Sequence, residues 1–189
     1  MFNPFTNNKV QRWIQDNKNF QMCNYQKELG FNHPTISFNL VFSLIHIYRH
    51  LFSEGIGLRQ LMDYYYILRH STVEERKNAF NILDSFGVGK FVGAVMYVMR
   101  RVYGMESSIL MCEPNEKQGA KLLEEIVRGG NFGQYDDRIK RIGAHQRWKR
   151  GWETLKRDVR FIKDYPSEVI WMPLWKIWHW GWRIWKGYL

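Results

Sequence analysis

Cysteine and proline are both scarce in this sequence. Cys23 and Cys112 are the two cysteines among 189 residues, and they lie far apart. They are too few for a disulfide framework or for a zinc site built from cysteine. The five prolines and the few runs of β-branched residues leave long segments with helical periodicity. We therefore predict an all-α fold, an irregular bundle of about six or seven helices, as a single domain over residues 1–189.

Familiar catalytic motifs are also absent from the sequence. It has no GxSxG, CxxC or HExxH, no glycine-rich phosphate loop and no Asp-x-Asp pair. Asp136 and Asp137 are adjacent, so in an extended segment they point to opposite faces. Two-metal nucleotidyl transfer needs clustered carboxylates that hold Mg²⁺ against the triphosphate. We assign no catalytic residue, no metal site and no cofactor to this chain alone.

The beginning of the sequence does not resemble a secretory signal, because no basic region is followed by an apolar one. Residues 29–48 are free of Asp, Glu, Lys and Arg, but they include a proline and several polar side chains. Such a segment is a poor membrane span. A cytoplasmic location is the expectation.

The densest pattern lies in residues 34–70. Thr35 or Ser37 can cap a helix whose apolar residues repeat on two sides, so this helix should be central. One polar line runs between the two apolar rows, and its 4-3-4 spacing places all four side chains on one narrow face. This line contains Asn39, Ser43, His46 and His50.

A second helix is predicted from Leu58 to His70, after the glycines at 55 and 57 end the first. It has its own polar line, and the short connection makes the two helices neighbours. If the lines face each other, imidazoles, a guanidinium, a carboxylate and a phenol converge in one cleft. We expect an Arg59–Asp63 ion pair joined by His46 or His50. The second line contains Arg59, Asp63, Tyr66 and His70.

His46 and His50 also have the i, i+4 spacing of helical metal ligands, and Asp63 could add an oxygen. A metal-dependent enzyme built on these three residues is therefore one hypothesis. The segment HIYRH lacks the glutamate of the protease motif, and no third histidine is placed by spacing. A hydrogen-bonded polar network is the interpretation that we favour.

The remaining pattern predicts further helices and some irregular segments. We expect a short helix over 7–14, irregular chain over 17–33, a buried helix over 87–103 and an amphipathic helix over 116–128. Thr72 should cap a helix over 73–86. The sequence Gly129-Gly130-Asn131-Phe132-Gly133 is either a helix-terminating turn or a turn at a substrate cleft, with Asn131 as a candidate ligand.

The C-terminal quarter is basic and rich in tryptophan. Residues 138–189 hold 13 Lys and Arg against 4 Asp and Glu, a net +9 of the total +10. The last helix, over about 167–187, is expected to bury most of a tryptophan stripe against the protein. Attachment to a membrane interface is the alternative. A regular apolar stripe argues against single-stranded nucleic acid, whose binders display separated aromatic residues. The stripe contains Trp171, Trp175, Trp178, Trp182 and Trp185.

Four stretches together resemble a known family. They are NPFTNNKVQRW, NLVFSLIHIYRHLFSEGIGLRQLMDYYYIL, KLLEEIVRGGNFGQYD and YPSEVIWMP. The chain resembles the C-terminal helical part of the uncharacterised bacterial nucleotidyltransferase family, whose members often lie in surface-polysaccharide gene clusters. The more specific portion is H-x-x-x-H followed by E-G-x-G-L-R-Q-x-x-D.

The resemblance implies a catalytic core with a G-D-x-D carboxylate pair, preceding the stretch that resembles residues 3–13. This sequence begins at that stretch, so no catalytic aspartate can be assigned to it. The resemblance implies the helical, substrate-side half of such a protein, with the core in cis or in trans and Mg²⁺ and nucleotide bound by that core. From the cleft residues themselves, we expect Arg59 and the two histidines to hold an anionic small-molecule substrate. A non-catalytic binding or scaffolding module for a partner protein or a membrane surface is the alternative. The implied cleft residues are His46, His50, Arg59, Gln60 and Asp63, with Gly129–Gly133.

Overall fold

The structure is a computed structural model that describes residues 1–17, 24–26, 30–53, 55–129, 156 and 159–187. Within these ranges the fold is all-α, as predicted, with seven α-helices and one short hairpin. The helices are α1 (Pro4–Asn17), α2 (Ile36–Ser53), α3 (Leu58–Arg69), α4 (Val73–Ser85), α5 (Gly89–Tyr103), α6 (Glu116–Gly129) and α7 (Pro166–Trp185), with strands β1 (Asn24–Gln26) and β2 (Phe31–His33) between α1 and α2.

Helices α2 and α5 form the centre of the bundle, as their two-sided apolar pattern predicts. Leu40 and Leu44 of α2 and Phe91 and Val95 of α5 are completely buried. Thr35, rather than Ser37, caps α2, because its Oγ1 accepts a hydrogen bond from the Phe38 N–H at 3.2 Å. The body of the protein, meaning α1 to α6, packs around these two helices.

Helix α4 begins at the predicted cap. The Thr72 Oγ1 accepts from the Glu75 N–H at 3.2 Å, and the Glu75 carboxylate accepts from the Thr72 N–H at 2.8 Å. The Ser37 hydroxyl also donates to Glu75, at 2.9 Å. One carboxylate therefore caps α4 and connects it to the first turn of α2.

The prediction of irregular chain over residues 17–33 is wrong in part. Strands β1 and β2 pair antiparallel, with Asn24 opposite His33 and Gln26 opposite Phe31. Gly30 precedes β2 with a φ of 69°, a left-handed conformation that glycine adopts without strain. Strands of three residues are too short for an alternating pattern to identify them.

The beginning of α7 is firmly attached to the body. The Tyr165 ring packs at 5.8 Å from the Phe52 ring, and Tyr165 is itself buried. The buried Glu168 carboxylate accepts hydrogen bonds from the Phe2 N–H at 2.8 Å and from the Asn3 N–H at 3.4 Å. Burial raises the pKa of Glu168 despite these two donors. An otherwise costly buried carboxylate thus holds the first turn of α7 against the start of α1.

The prediction that most of the tryptophan stripe is buried is wrong for its outer part. Trp178, Trp182 and Trp185 are 62%, 37% and 76% exposed, whereas the two earlier tryptophans of the stripe are partly buried. The reason is that α7 contacts the body through Val169 and Met172, which lie on another side of the helix. No helix among the described residues is long and apolar enough to cross a membrane.

Candidate functional site

A polar cleft lies between α2 and α3. The two helices pack against each other, and the buried Tyr64 hydroxyl of α3 donates to the Leu40 carbonyl of α2 at 2.9 Å. Burial raises the pKa of Tyr64, so this hydroxyl keeps its proton. The cleft has a volume of about 250 Å³. Its lining residues are Phe42, Ser43, His46, Ile47, His50, Gln60, Asp63, Tyr64 and Ile67.

His46 and His50 form the closest polar pair in this cleft. Their Nε2 atoms are 3.0 Å apart, and the ring centroids are separated by 4.4 Å at an angle of 79°. At this separation one Nε2 donates its proton and the other accepts it. A ligand anion that approached the pair could accept a hydrogen bond from the Nε2 that carries the proton.

Gln60 and Asp63 line the opposite wall. The Gln60 Oε1 accepts a hydrogen bond from the Gly57 N–H at 2.7 Å, which caps the N-terminus of α3 and fixes this side chain. Asp63 is exposed at the rim of the cleft. Its negative charge adds to the effect of burial in raising the pKa of Tyr103, whose hydroxyl donates to the Leu58 carbonyl at 2.6 Å. Asp63 is thus an ionic group in contact with water at the entrance.

The predicted Arg59–Asp63 ion pair is wrong: among the described residues, no salt bridge joins these two side chains. Arg59 and Tyr66 are exposed and do not line the cleft. The residues of α3 that face α2 are 60, 63, 64 and 67, and residues 59 and 66 lie about 100° around the helix from them. The imidazoles and the carboxylate converge as expected, but the guanidinium and the phenol do not.

The other predicted cleft residues cannot be compared with this geometry. Gly129 is the last residue of α6 and is buried. Residues 130–133, including Asn131, lie outside the described residues, as does most of the basic segment over 138–163. Whether that turn approaches the cleft therefore stays a prediction.

A row of stacked rings leads to the histidine pair, and the sequence interpretation missed it. Trp13 of α1 stacks on Phe38 at 5.1 Å, Phe38 on Phe42 at 5.3 Å, and Phe42 on His46 at 6.3 Å. The signal was the four-residue spacing 38, 42, 46 and 50. It was overlooked because the phenylalanines were assigned to an apolar row and the histidines to a polar line.

A larger cavity, of about 470 Å³, lies at the other end of this row of rings, between α1, α2 and α4. Glu75 is the charged residue in its lining, and Trp13, Thr35 and Phe38 also contribute. The hydrogen bond from the Thr72 N–H, and those from hydroxyl groups, lower the pKa of Glu75. Since this carboxylate already serves as a helix cap, the cavity offers less chemistry than the α2–α3 cleft.

A metal site on His46, His50 and Asp63 gains no support from the arrangement. In the described part of the chain, no group of three or more His, Cys, Asp or Glu side chains is placed to hold a metal ion. The two imidazoles are near each other, and the carboxylate stands at the rim. What the cleft offers is a hydrogen-bonded imidazole pair on one wall and a carboxylate on the other.

The chain was compared with protein-family models, with curated proteins and with solved structures, and nothing matched.

Proposed function

We propose that this chain is the helical, substrate-side half of a nucleotidyltransferase-like protein. In this proposal the α2–α3 cleft binds an anionic small molecule. A nucleotidyltransferase core, in cis or as a second polypeptide, holds Mg²⁺ and the nucleotide and performs the transfer. The proposal rests on the cleft and on the sequence resemblance together.

The observation that carries the proposal is the convergence of one sequence run on one cleft. His46, His50, Gln60 and Asp63 all belong to the run that gives the resemblance its specificity, and all four line the same cleft. Two of them are on α2 and two on α3, on either side of the glycine-containing connection. Helix packing alone does not require imidazoles, an amide and a carboxylate to line one cleft, so a binding role accounts better for their being together.

The polar groups of the cleft favour a particular class of ligand. The imidazole pair can donate to a phosphate or carboxylate, and the Ser43 hydroxyl lies on the same wall. Asp63 opposite can accept hydrogen bonds from ligand hydroxyls. At about 250 Å³ the cleft is small, so it suits one anionic group and its immediate neighbours. A sugar phosphate has this combination of an anion and hydroxyls.

The same lining argues that nucleotidyl transfer takes place elsewhere. Phosphoryl transfer depends on positioning and on neutralising charge with metal ions, and those ions are held by clustered oxygen ligands. Of the described residues that line the cleft, Asp63 is the acidic one. One carboxylate at the rim, facing two imidazoles, suits recognition better than metal-assisted transfer.

The first experiment asks whether the chain works alone. Nucleoside triphosphate with Mg²⁺ or Mn²⁺ should give no pyrophosphate above a control without protein, and the catalytic half should be required for any activity. Reproducible pyrophosphate release by this chain, abolished by Asp63→Asn, would contradict the proposal. The genomic sequence upstream of Met1 is an independent check: a G-D-x-D strand in frame or on an adjacent gene is expected.

The second experiment examines the cleft by calorimetric titration with glucose 1-phosphate and, as the neutral counterpart, glucose. Binding of the phosphate is expected to weaken about tenfold in His46→Ala, since a hydrogen bond to a charged group is lost. His70→Ala is the matched control, because His70 is exposed at the end of α3 and outside the cleft. Equal loss in both variants, or equal binding of both sugars, would argue against an anion site.

The scaffolding alternative is favoured by a different observation, the exposed outer part of α7. This alternative concerns attachment of the protein to a partner or surface. Attachment through α7 and ligand binding in the α2–α3 cleft are compatible in one chain.

A further inference from the structure

The outer part of α7 exposes apolar surface that the body leaves uncovered. From Lys176 to the end of the helix no residue is buried, and Ile177 is 68% exposed. Single exposed apolar residues are common on protein surfaces, but a contiguous group marks an interaction site. Eight large apolar residues of α7 are exposed, of which Trp180 and Trp182 lie at other positions around the helix. The remaining six form this group: Ile170, Leu174, Ile177, Trp178, Ile184 and Trp185.

These six residues share one side of the helix. At about 100° per residue they fall within an arc of about 120°. Val169 and Met172, which contact the body, lie on the opposite side. The apolar face of α7 therefore points away from the body.

Helix α1 extends the same face. Phe5 is 71% exposed, and its ring lies 6.4 Å from the ring of Trp171, edge to face. The neighbouring Phe2 and Trp175 rings are 5.4 Å apart and fix the two helices to each other. The exposed apolar surface thus includes the first turn of α1 as well as the outer side of α7.

The basic residues of α7 lie on the side of the helix opposite this surface. After Glu168 the described part of α7 has no acidic residue, whereas it contains Lys176 and Arg183, and Lys186 follows directly. At about 100° per residue all three fall on the side of Met172, away from the apolar face. The Lys186 ammonium lies 4.6 Å from the centroid of the Trp185 ring, so this long side chain extends towards the edge of the face. An apolar side with tryptophan and a basic polar side are typical of a helix that lies in a membrane interface.

We propose that α7 attaches the protein to an anionic membrane surface. The helix lies in the interface with Ile177, Trp178 and Trp185 among the headgroups and upper acyl chains, and the body remains in the water above it. Tryptophan suits this location because its ring is apolar and its N–H remains hydrogen-bonded. Lys176, Arg183 and Lys186 contact the anionic headgroups.

The two-sided pattern favours a lipid surface over a second copy of the chain. In a symmetric dimer the apolar face would meet itself, and the basic residues on the other side of α7 would lie outside the interface and contribute nothing to it. At an anionic membrane the apolar side enters the lipid, and the headgroups around the helix attract its basic residues.

Co-sedimentation of the full chain with vesicles tests this proposal. Vesicles of phosphatidylcholine with added phosphatidylglycerol should bind the protein, and raising the salt concentration should weaken the binding. Vesicles of phosphatidylcholine alone should bind much less. Trp178→Ala should weaken binding to the anionic vesicles about tenfold, because a large apolar side chain no longer enters the interface.

Val127→Ala is the matched control, since Val127 is similarly exposed but lies on α6. It should bind vesicles like the original chain, and the denaturation midpoints of both variants should be unchanged. Failure to bind anionic vesicles, or an equal loss in both variants, would overturn the proposal. So would a dimer, detected by analytical ultracentrifugation, that Trp178→Ala dissociates. The result does not depend on the function proposed for the cleft.

Discussion

The two halves of α7 have similar apolar content and very different surroundings. In the first half, Glu168, Val169 and Met172 are buried, and Tyr165 just before the helix joins an aromatic cluster on α2 and α5. In the second half, Trp178 and Trp185 are mostly exposed. Both halves are rich in apolar residues, so apolar content alone does not account for which half is buried.

The first half has a set of specific partners in the body. Glu168 has two backbone donors from the start of the chain, and Asp164, just before the helix, accepts from the Lys121 ammonium of α6 at 2.7 Å. Burial acts to raise the pKa of Asp164. The contacts with Lys121 and Gln118 outweigh this effect, so the pKa is lowered overall. Arg160 also pairs with the buried Glu125 carboxylate. Such directional contacts fix the position and rotation of a helix. Its apolar residues then either face the body or remain exposed to solvent.

The largest expected difference between the body and the outer half of α7 is in the cost of truncating an apolar side chain. Leu44→Ala should lower the free energy of unfolding by about 2–5 kcal/mol, because it leaves a cavity in a completely buried position. Ile177→Ala should change it by less than about 0.5 kcal/mol. Urea denaturation measures both. A cost of several kcal/mol for Ile177→Ala would show that the outer half is packed against protein.

A smaller effect is expected at the attachment point of α7. Glu168→Ala should cost about 1–3 kcal/mol, since the buried Phe2 N–H loses its acceptor. The attachment should also depend on pH. Because the pKa of Glu168 is raised in the folded protein, its contribution to stability is greatest at acidic pH and decreases as the pH rises from about 4.5 through the folded-state value. Glu168→Gln should lose this dependence, as denaturation over a pH series would show. An identical pH dependence in both proteins would contradict the assignment.

The smallest effect is expected at the rim of the α2–α3 cleft. Asp63→Ala should change stability by less than about 0.5 kcal/mol, because Asp63 is exposed and has no salt bridge to Arg59 among the described residues. Thermal denaturation is sufficient to test this. A loss of stability above about 1 kcal/mol would instead support the polar network that was expected from the sequence.

Much of the bundle could be predicted because helical periodicity and caps are local signals. Thr35 and Thr72 cap α2 and α4 at predicted positions, and the two-sided apolar pattern identified α2 and α5 as central. His46, His50 and Asp63 were correctly expected to lie near one another, because the connection between α2 and α3 is short.

The errors concern rotation about a helix axis. On α3 the predicted polar line contains residues 59, 63 and 66, whereas the side that faces α2 contains residues 60, 63, 64 and 67. Asp63 belongs to both sets. Neither the spacing nor the polarity of the residues shows which set faces α2. The hydrogen bond from the buried Tyr64 hydroxyl to the Leu40 carbonyl fixes the rotation of α3, and this contact depends on tertiary structure. On α7 the tryptophans formed the conspicuous stripe, yet Val169 and Met172 make the contact with the body. A sequence shows where a helix is apolar, but its neighbours determine which side is covered.

The central claim is that one half of α7 is attached to the body and the other presents an apolar face outwards. Hydrogen–deuterium exchange along α7 tests this claim most directly, when it is measured in buffer and with anionic vesicles. Amides of residues 169–172 should be protected in both conditions, because that half is packed against the body. Amides of residues 176–187 should exchange quickly in buffer and become protected when vesicles are added. Equal protection of both halves in buffer, unchanged by vesicles, would contradict the account.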